Sequence, residues 1–292
     1  MAHKFDPSAK ERATRRRFIQ CDVFSAVPTR GNGLAVVLDG AGLDDAAMQG
    51  FATWTQLAET TFLLPPTDPT AADYRVRIFT TRGELPFAGH PTLGSCAAWL
   101  HAGGVPKDAD HVRQECAVGI VEIDRSGALP AFVAPPTRVE PSDPERLAEA
   151  LAALRIDPST VVRSARLDNG PTWEAIELTS AAAVLAADPR GASFAPERRI
   201  GLIGPHAPGG EADVEVRMFA IGSGVTEDPI TGSLNAALAS WMAAEGRLPT
   251  SYTAAQGTAI GRLGRVHVRA GADGRVLIGG ATHVLIEGSV TL

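Results

Sequence analysis

The stretch Pro91-Thr92-Leu93-Gly94-Ser95-Cys96-Ala97-Ala98 returns later in the chain as Pro229-Ile230-Thr231-Gly232-Ser233-Leu234-Asn235-Ala236-Ala237. Each copy follows a β-type run, Arg77-Ile78-Phe79 in the first and Arg217-Met218-Phe219 in the second, and each leads into an Ala-rich segment of helical character. The copies stand 138 residues apart at both the proline and the serine, with a preceding loop two residues shorter in the second. Matching context on both sides of a short motif points to an internal duplication: two similar halves, each with several strands and one prominent helix. A Pro-x-x-Gly-Ser at a helix mouth leaves backbone N–H groups without intrahelical acceptors, and with the helix dipole these favour an anion. Halves packed about a pseudo-twofold axis would turn both mouths to one cleft, with His90 and Asp228 in the same position just before each proline.

Working outward, apolar runs at 18–24, 34–38, 60–64, 74–79 and 119–124 read as strands separated by Gly- or Pro-bearing turns, with helices over 44–54 and 91–102. Pro135, Pro136, Pro141 and Pro144 make a stiff, extended segment that suits a junction, so the first half is read as 18–134 and the second as 135–282. In the second half, 144–154 and 231–245 read as helices, and 172–178, 199–203, 214–219, 263–269, 276–278 and 283–287 as strands.

Composition narrows the class. The chain has 292 residues, 45% hydrophobic and 21% charged, which fits a folded globular protein rather than a disordered or fibrous one. A net charge of −6 lacks the basic footprint of a nucleic-acid binder, and no apolar run is long enough for a membrane helix. Lys4, Lys10, Arg12, Arg15, Arg16 and Arg17 make residues 1–17 a basic, solvated arm; the residues after it lack the apolar run of an export signal. Cys21, Cys96 and Cys116 are odd in number without a Cys-x-x-Cys pair, which fits free thiols in a reducing cytoplasm. Neither the histidines nor the cysteines show metal-site spacing, and Gly222-Ser223-Gly224 is no dinucleotide fingerprint, so neither metal nor cofactor is expected.

One carboxylate stands out. Glu59 opens the apolar strand Thr60-Thr61-Phe62, where burial would raise its pKa toward the range useful for general acid and base catalysis.

At these residues the sequence resembles the phenazine-biosynthesis isomerase family, the PhzF-like proteins. The resemblance is carried by Asp22-Val23-Phe24 with Gly31-Asn32-Gly33, by Glu59-Thr60-Thr61-Phe62, by Glu84-Leu85-Pro86-Phe87-Ala88-Gly89-His90-Pro91, by Glu227-Asp228-Pro229-Ile230-Thr231-Gly232-Ser233, and by the late Gln256-Gly257 and Gly261-Arg262. It implies an α+β, diaminopimelate epimerase-like fold: two pseudo-symmetric halves, each a curved, mostly antiparallel or mixed sheet around a central helix, with residues 283–292 returning to the first half as the last strand. It also implies a homodimer that works without a cofactor. Glu59 would be the acid/base, with His90, Asp228 and Ser233 as catalytic partners. Gly89, Thr92, Gly94, Ser95, Thr231 and Gly232 would line a small anionic substrate. Where the family carries Ser-Glu-Thr this chain has Ala58-Glu59-Thr60, and Gly33 stands in place of a proline.

The expected activity is a proton and double-bond shift in a molecule such as trans-2,3-dihydro-3-hydroxyanthranilate. A cofactor-independent epimerase or racemase is the alternative, disfavoured because Cys96 has Leu234, not a thiol, as its counterpart in the repeat. A binding protein of the same fold without turnover is the other alternative.

Overall fold

The computed structural model describes residues 14–222, 225–271 and 274–292. Lys4, Lys10 and Arg12 of the expected basic arm, and Ser223 and Gly224 of the glycine cluster, lie outside these residues.

The chain begins β1 (Arg15–Val23), β2 (Asn32–Val37), α1 (Asp45–Thr55), β3 (Glu59–Leu64), β4 (Tyr74–Thr80), β5 (Glu84–Leu85), α2 (Gly89–His101), β6 (His111–Cys116), β7 (Gly119–Asp124) and β8 (Ala131–Val133). It continues β9 (Arg138–Pro141), α3 (Pro144–Ala153), β10 (Val161–Asp168), β11 (Thr172–Leu178), α4 (Ala181–Ala186), β12 (Arg198–Pro205), β13 (Val214–Ile221) and β14 (Val225–Asp228). Then come α5 (Gly232–Ala244), β15 (Ser251–Gln256), β16 (Gly264–Ala270), β17 (Val276–Gly279) and β18 (Thr282–Thr291).

Strand pairing shows the duplication directly. In the first half β1–β2 is antiparallel, β2–β3 parallel, β3–β4 antiparallel, β4–β6 parallel, and β6–β7 and β7–β8 antiparallel. The same directions recur along β10–β11–β12–β13–β15–β16–β17. Each series is completed by one added antiparallel strand: β9 on β10, and β18, from the far end of the chain, on β1. An antiparallel β8–β17 pair joins the two series. This is an α+β fold of two like halves.

Alternating side chains place α2 and α5 inside these sheets. Tyr74, Val76 and Ile78 on β4, and Val216, Met218 and Ala220 on β13, share one large core with Leu93, Cys96, Leu234, Leu238 and Trp241 of the two central helices. The opposite sheet faces are covered by smaller clusters: Phe79 and Phe62 under Met48 and Phe51 of α1, and Phe219 and Ile200 under Val184 of α4. The outer helices begin on side-chain caps, Asp44 accepting from Ala47 N at 2.8 Å and Ser180 from Ala183 N at 3.2 Å. The two central helices have no side-chain cap.

One expectation is corrected. Arg15, Arg16 and Arg17 belong to β1 rather than to a solvated arm. Their strand pairs with β18, Arg16 is 9% exposed and donates to the carbonyls of Asp39 and Ala41, and Arg17 pairs with Asp39 at 3.0 Å. Within the proline-rich junction, Arg138–Pro141 is extended as expected and pairs with β10 as a strand. Among the described residues no helix is long and apolar enough to cross a membrane.

Candidate active site

Two hairpins carry the chain into the central helices. Ile78 and Phe79 of β4 face Leu85 and Glu84 of β5, and Met218 and Phe219 of β13 face Asp228 and Glu227 of β14. An arginine on the longer strand clamps the glutamate on the shorter one in each: Arg77–Glu84 at 2.6 Å and Arg217–Glu227 at 2.7 Å. The helices then start at Gly89 and Gly232. The structural repeat is therefore Glu84-x-Pro86-x-x-Gly89-His90 against Glu227-x-Pro229-x-x-Gly232-Ser233, a spacing of 143 residues rather than 138. His90 corresponds to Ser233, and Asp228 to Leu85. The equivalence of His90 with Asp228 is corrected, as is the shorter second loop, because the β13–β14 hairpin is longer than the β4–β5 hairpin.

The helix mouths meet. A Cβ on Gly89 would fall 3.0 Å from the Cα of Gly232, and one on Gly232 would fall 3.1 Å from the Cα of Gly89. The phenyl rings of Phe132 and Phe24 close in on these glycines. First-turn N–H groups of both helices have no intrahelical acceptor, so two positive helix ends converge on one point between the halves.

Glu59, the first residue of β3, reaches this point. Its side chain is 16% exposed, yet Oε2 is fully enclosed and lies 3.3 Å from Nε2 of His90, itself 6% exposed. Despite that separation neither atom makes a hydrogen bond, the approach being too poorly aligned to count as one. Burial, reinforced by the charge of Asp228, pushes Glu59 up to about 8. Burial pushes His90 down to about 3, against the opposing effect of a hydrogen bond with the Gly33 backbone. At neutral pH the pair is a protonated carboxyl beside a neutral imidazole.

Asp228 lies near enough for its charge to act on Glu59. Its Oδ2 accepts from Thr231 Oγ1 at 2.5 Å and its Oδ1 from Asn32 Nδ2 at 3.3 Å. Burial pushes it up to about 6, against these two hydrogen bonds. Asn32, 3% exposed, also donates to the Ile230 carbonyl at 3.0 Å and lies 3.4 Å from His90 Nδ1, so it ties the first-half histidine to the second-half aspartate. Asn32 and Gln256 were visible in the sequence only as parts of motifs, without an assigned role.

Of the expected site residues, Glu59, His90, Asp228, Gly89, Gly232 and Thr231 come together. Ser233 sits in the first turn of α5, where its carbonyl accepts from Asn169 Nδ2 at 2.8 Å. Thr92, Gly94 and Ser95 do not line the site, which corrects the expectation for all three. Thr92 is fully buried, donates to the Ala88 carbonyl at 2.9 Å and accepts from Gln114. Gly94 lies within helix α2 against Leu34, where a Cβ would come within 2.5 Å of the leucine methyl. Ser95 is fully buried and donates to Thr61 Oγ1 at 2.9 Å. The cause is the same for each: α2 opens at Gly89, so these residues lie deeper in the helix than its free amides. A surface cavity of about 440 Å³ lies elsewhere, against Trp99 and Pro65. Among the described residues no three His, Cys, Asp or Glu side chains are grouped to hold a metal ion.

Comparison with known proteins fits this geometry. The sequence profile of the phenazine biosynthesis-like proteins, PhzC-PhzF, matches residues 21–288. The chain belongs to this family. Among PhzF relatives, the trans-2,3-dihydro-3-hydroxyanthranilate isomerase of Pseudomonas aeruginosa is 35% identical over 89% of this chain and 92% of its own. Antisense-enhancing sequence 1 of Schizosaccharomyces pombe is 35% identical over 94% of this chain and 98% of its own. The crystal structure of a PhzF-family protein from Bacillus anthracis superposes with a TM-score of 0.78 at 21% identity, covering 96% of this chain and 100% of that one. Membership in PhzF places the chain among isomerases, and its two-halved fold is shared with epimerases of the diaminopimelate epimerase-like type.

Proposed function

We propose that this PhzF-family isomerase moves a proton, and with it a double bond, within a small anionic molecule of the trans-2,3-dihydro-3-hydroxyanthranilate kind. The observation that carries the reading is the Glu59 carboxyl, enclosed at Oε2 and without a hydrogen bond there, set beside His90 and within reach of the Asp228 charge where two uncapped helix ends converge.

In its ionised form Glu59 takes a proton from an activated carbon, and the C–H electron pair becomes part of a shifted C=C bond. The new carboxylic acid returns the proton to the far end of the conjugated system, and the displaced π pair forms the new C–H bond. Atoms and electrons balance without an oxidant or reductant. First-turn amides at Gly89 and Gly232 oppose the negative charge that develops. Neutral His90, Asp228 and Ser233 orient the substrate's polar groups. A positioned acid/base supplies roughly 10²–10⁴ in rate, and orientation and the helix ends supply more. A homodimer in the cytoplasm, working without a cofactor, completes the proposal.

The test is proton NMR in D₂O with trans-2,3-dihydro-3-hydroxyanthranilate and a panel of related cyclic and amino-acid acids. Product carrying deuterium at the new C–H position supports the reading. Tight binding of one compound with no exchange on any overturns it in favour of a binding protein.

A further inference from the structure

We propose that Gln256 is a positioning residue that acts through Thr231 to hold Asp228 as a hydrogen-bond acceptor in the site. The proposal rests on the role given to Asp228 above and extends it to a residue that does not face the cleft.

The direction of this chain of hydrogen bonds follows from two fixed ends. The Thr231 backbone N–H can only donate, and it donates to Gln256 Oε1 at 3.1 Å. The Thr231 carbonyl can only accept, and it accepts from Asn235 Nδ2 at 3.0 Å, which sets the same amide to donate to Gln256 Oε1 at 2.9 Å. With two donors at its oxygen, the Gln256 amide must turn Nε2 the other way. Nε2 there donates to Thr231 Oγ1 at 3.0 Å and to the Asp228 carbonyl at 3.3 Å. Thr231 Oγ1 is thereby an acceptor from Gln256, and its single proton is left for Asp228 Oδ2 at 2.5 Å. Gln256 and Asn235 are fully buried and Thr231 is 7% exposed, so bulk water does not compete for these bonds.

Other groups push on Asp228. Glu59 faces it from β3 and Glu227 precedes it on β14, held by Arg217 of β13; His90 of α2 stands behind Asn32. Burial and the Glu227 carboxylate oppose an ionised Asp228, while donation from Thr231 and Asn32 favours it. Gln256 secures the first of those donations without touching the carboxylate.

The test is a titration of side-chain carboxyl carbons by ¹³C NMR on the full chain, the Asp228 signal being assigned by its loss in Asp228→Asn. In the wild type Asp228 is expected to titrate near about 6. Thr231→Val removes the hydroxyl, and Gln256→Glu replaces the Nε2 donor with an acceptor that draws the Thr231 proton away. Both should move the midpoint up by about one pH unit, and Thr231→Ser should restore it. An unchanged midpoint in folded Gln256→Glu, or in folded Gln256→Leu where the first variant fails to fold, overturns the inference, as does an unchanged midpoint in folded Thr231→Val. The titration needs no substrate, so failure of the isomerase reading would show separately, as absence of turnover by the wild type.

Discussion

Gly89 and Gly232 stand Cα against Cα at the junction of the two halves, each leaving no room for a methyl group on the other. This contact lets two helix ends share one site. Replacing Gly89 by Ala sets the new Cβ 2.8 Å from the Phe132 ring and 3.0 Å from the Gly232 Cα, so the ring must move and the two helix ends must shift apart by a few tenths of an ångström. The expected result is a loss of about 1–3 kcal/mol in urea unfolding and a fall in kcat/KM of about 10²-fold or more. Steady-state kinetics beside a denaturation curve check both.

The raised pKa of Glu59 makes stability depend on pH. From its ordinary 4.5 to about 8 the folded state binds a proton that the unfolded state releases, so stability falls as pH rises through this window. Asp228 acts in the same sense between 3.8 and about 6, and His90 in the opposite sense between about 3 and 6.5. Above pH 6.5 Glu59 is the member of this trio still titrating. Urea unfolding should show the wild type losing about 1–2 kcal/mol between pH 6.5 and 8.5 relative to Glu59→Gln.

The same argument applies to catalysis. With the ionised carboxylate as the proton acceptor, kcat/KM should rise with pH and level off near about 8, measured with substrate whose own titration is known. A profile flat from pH 6 to 9 contradicts that role.

The duplicated arginine–glutamate clamps should differ in weight. Arg217 and Glu227 are 4% and 6% exposed, and Arg217 Nη1 also donates to the Ala187 carbonyl at 2.6 Å. Arg217→Met strands a buried carboxylate next to Asp228 and should cost about 3–5 kcal/mol. Arg77 and Glu84 are 24% and 35% exposed, and Arg77→Met should cost about 1 kcal/mol or less. Paired urea titrations read the contrast.

Thiol reagents address the epimerase alternative. Cys21, Cys96 and Cys116 are all buried, and burial pushes the first two up to about 12 and raises the third. Iodoacetamide under native conditions should leave turnover intact and the protein unlabelled by mass spectrometry. Rapid inactivation with label on Cys96 would revive a thiol mechanism.

The halves, the central helices and Glu59 were legible because each carries a strong local signal: apolar alternation, an Ala-rich run after a proline, a lone carboxylate opening an apolar strand. The repeat was legible but out of register. Pro91 and Pro229 match as letters, whereas the hairpin pairing and the arginine clamps align Pro86 with Pro229, and a longer loop in the second copy hides this from spacing. That slip placed Thr92, Gly94 and Ser95 at a helix mouth they do not form. Strands β6 and β15 were missed because their inward faces carry a polar side chain, Gln114 between Val112 and Cys116 and Gln256 at the end of β15, each bracing the start of a central helix. Asn32 could not be assigned because its partners, Asp228 and Ile230, are remote in sequence.

The most direct test of the central claim compares wild type with Glu59→Gln in D₂O, following turnover and deuterium uptake on trans-2,3-dihydro-3-hydroxyanthranilate by NMR, with folding checked by circular dichroism. Glu59 as the acid/base requires that the folded variant lose at least about 10²-fold in both. Turnover at the wild-type rate by a folded Glu59→Gln protein would contradict the account.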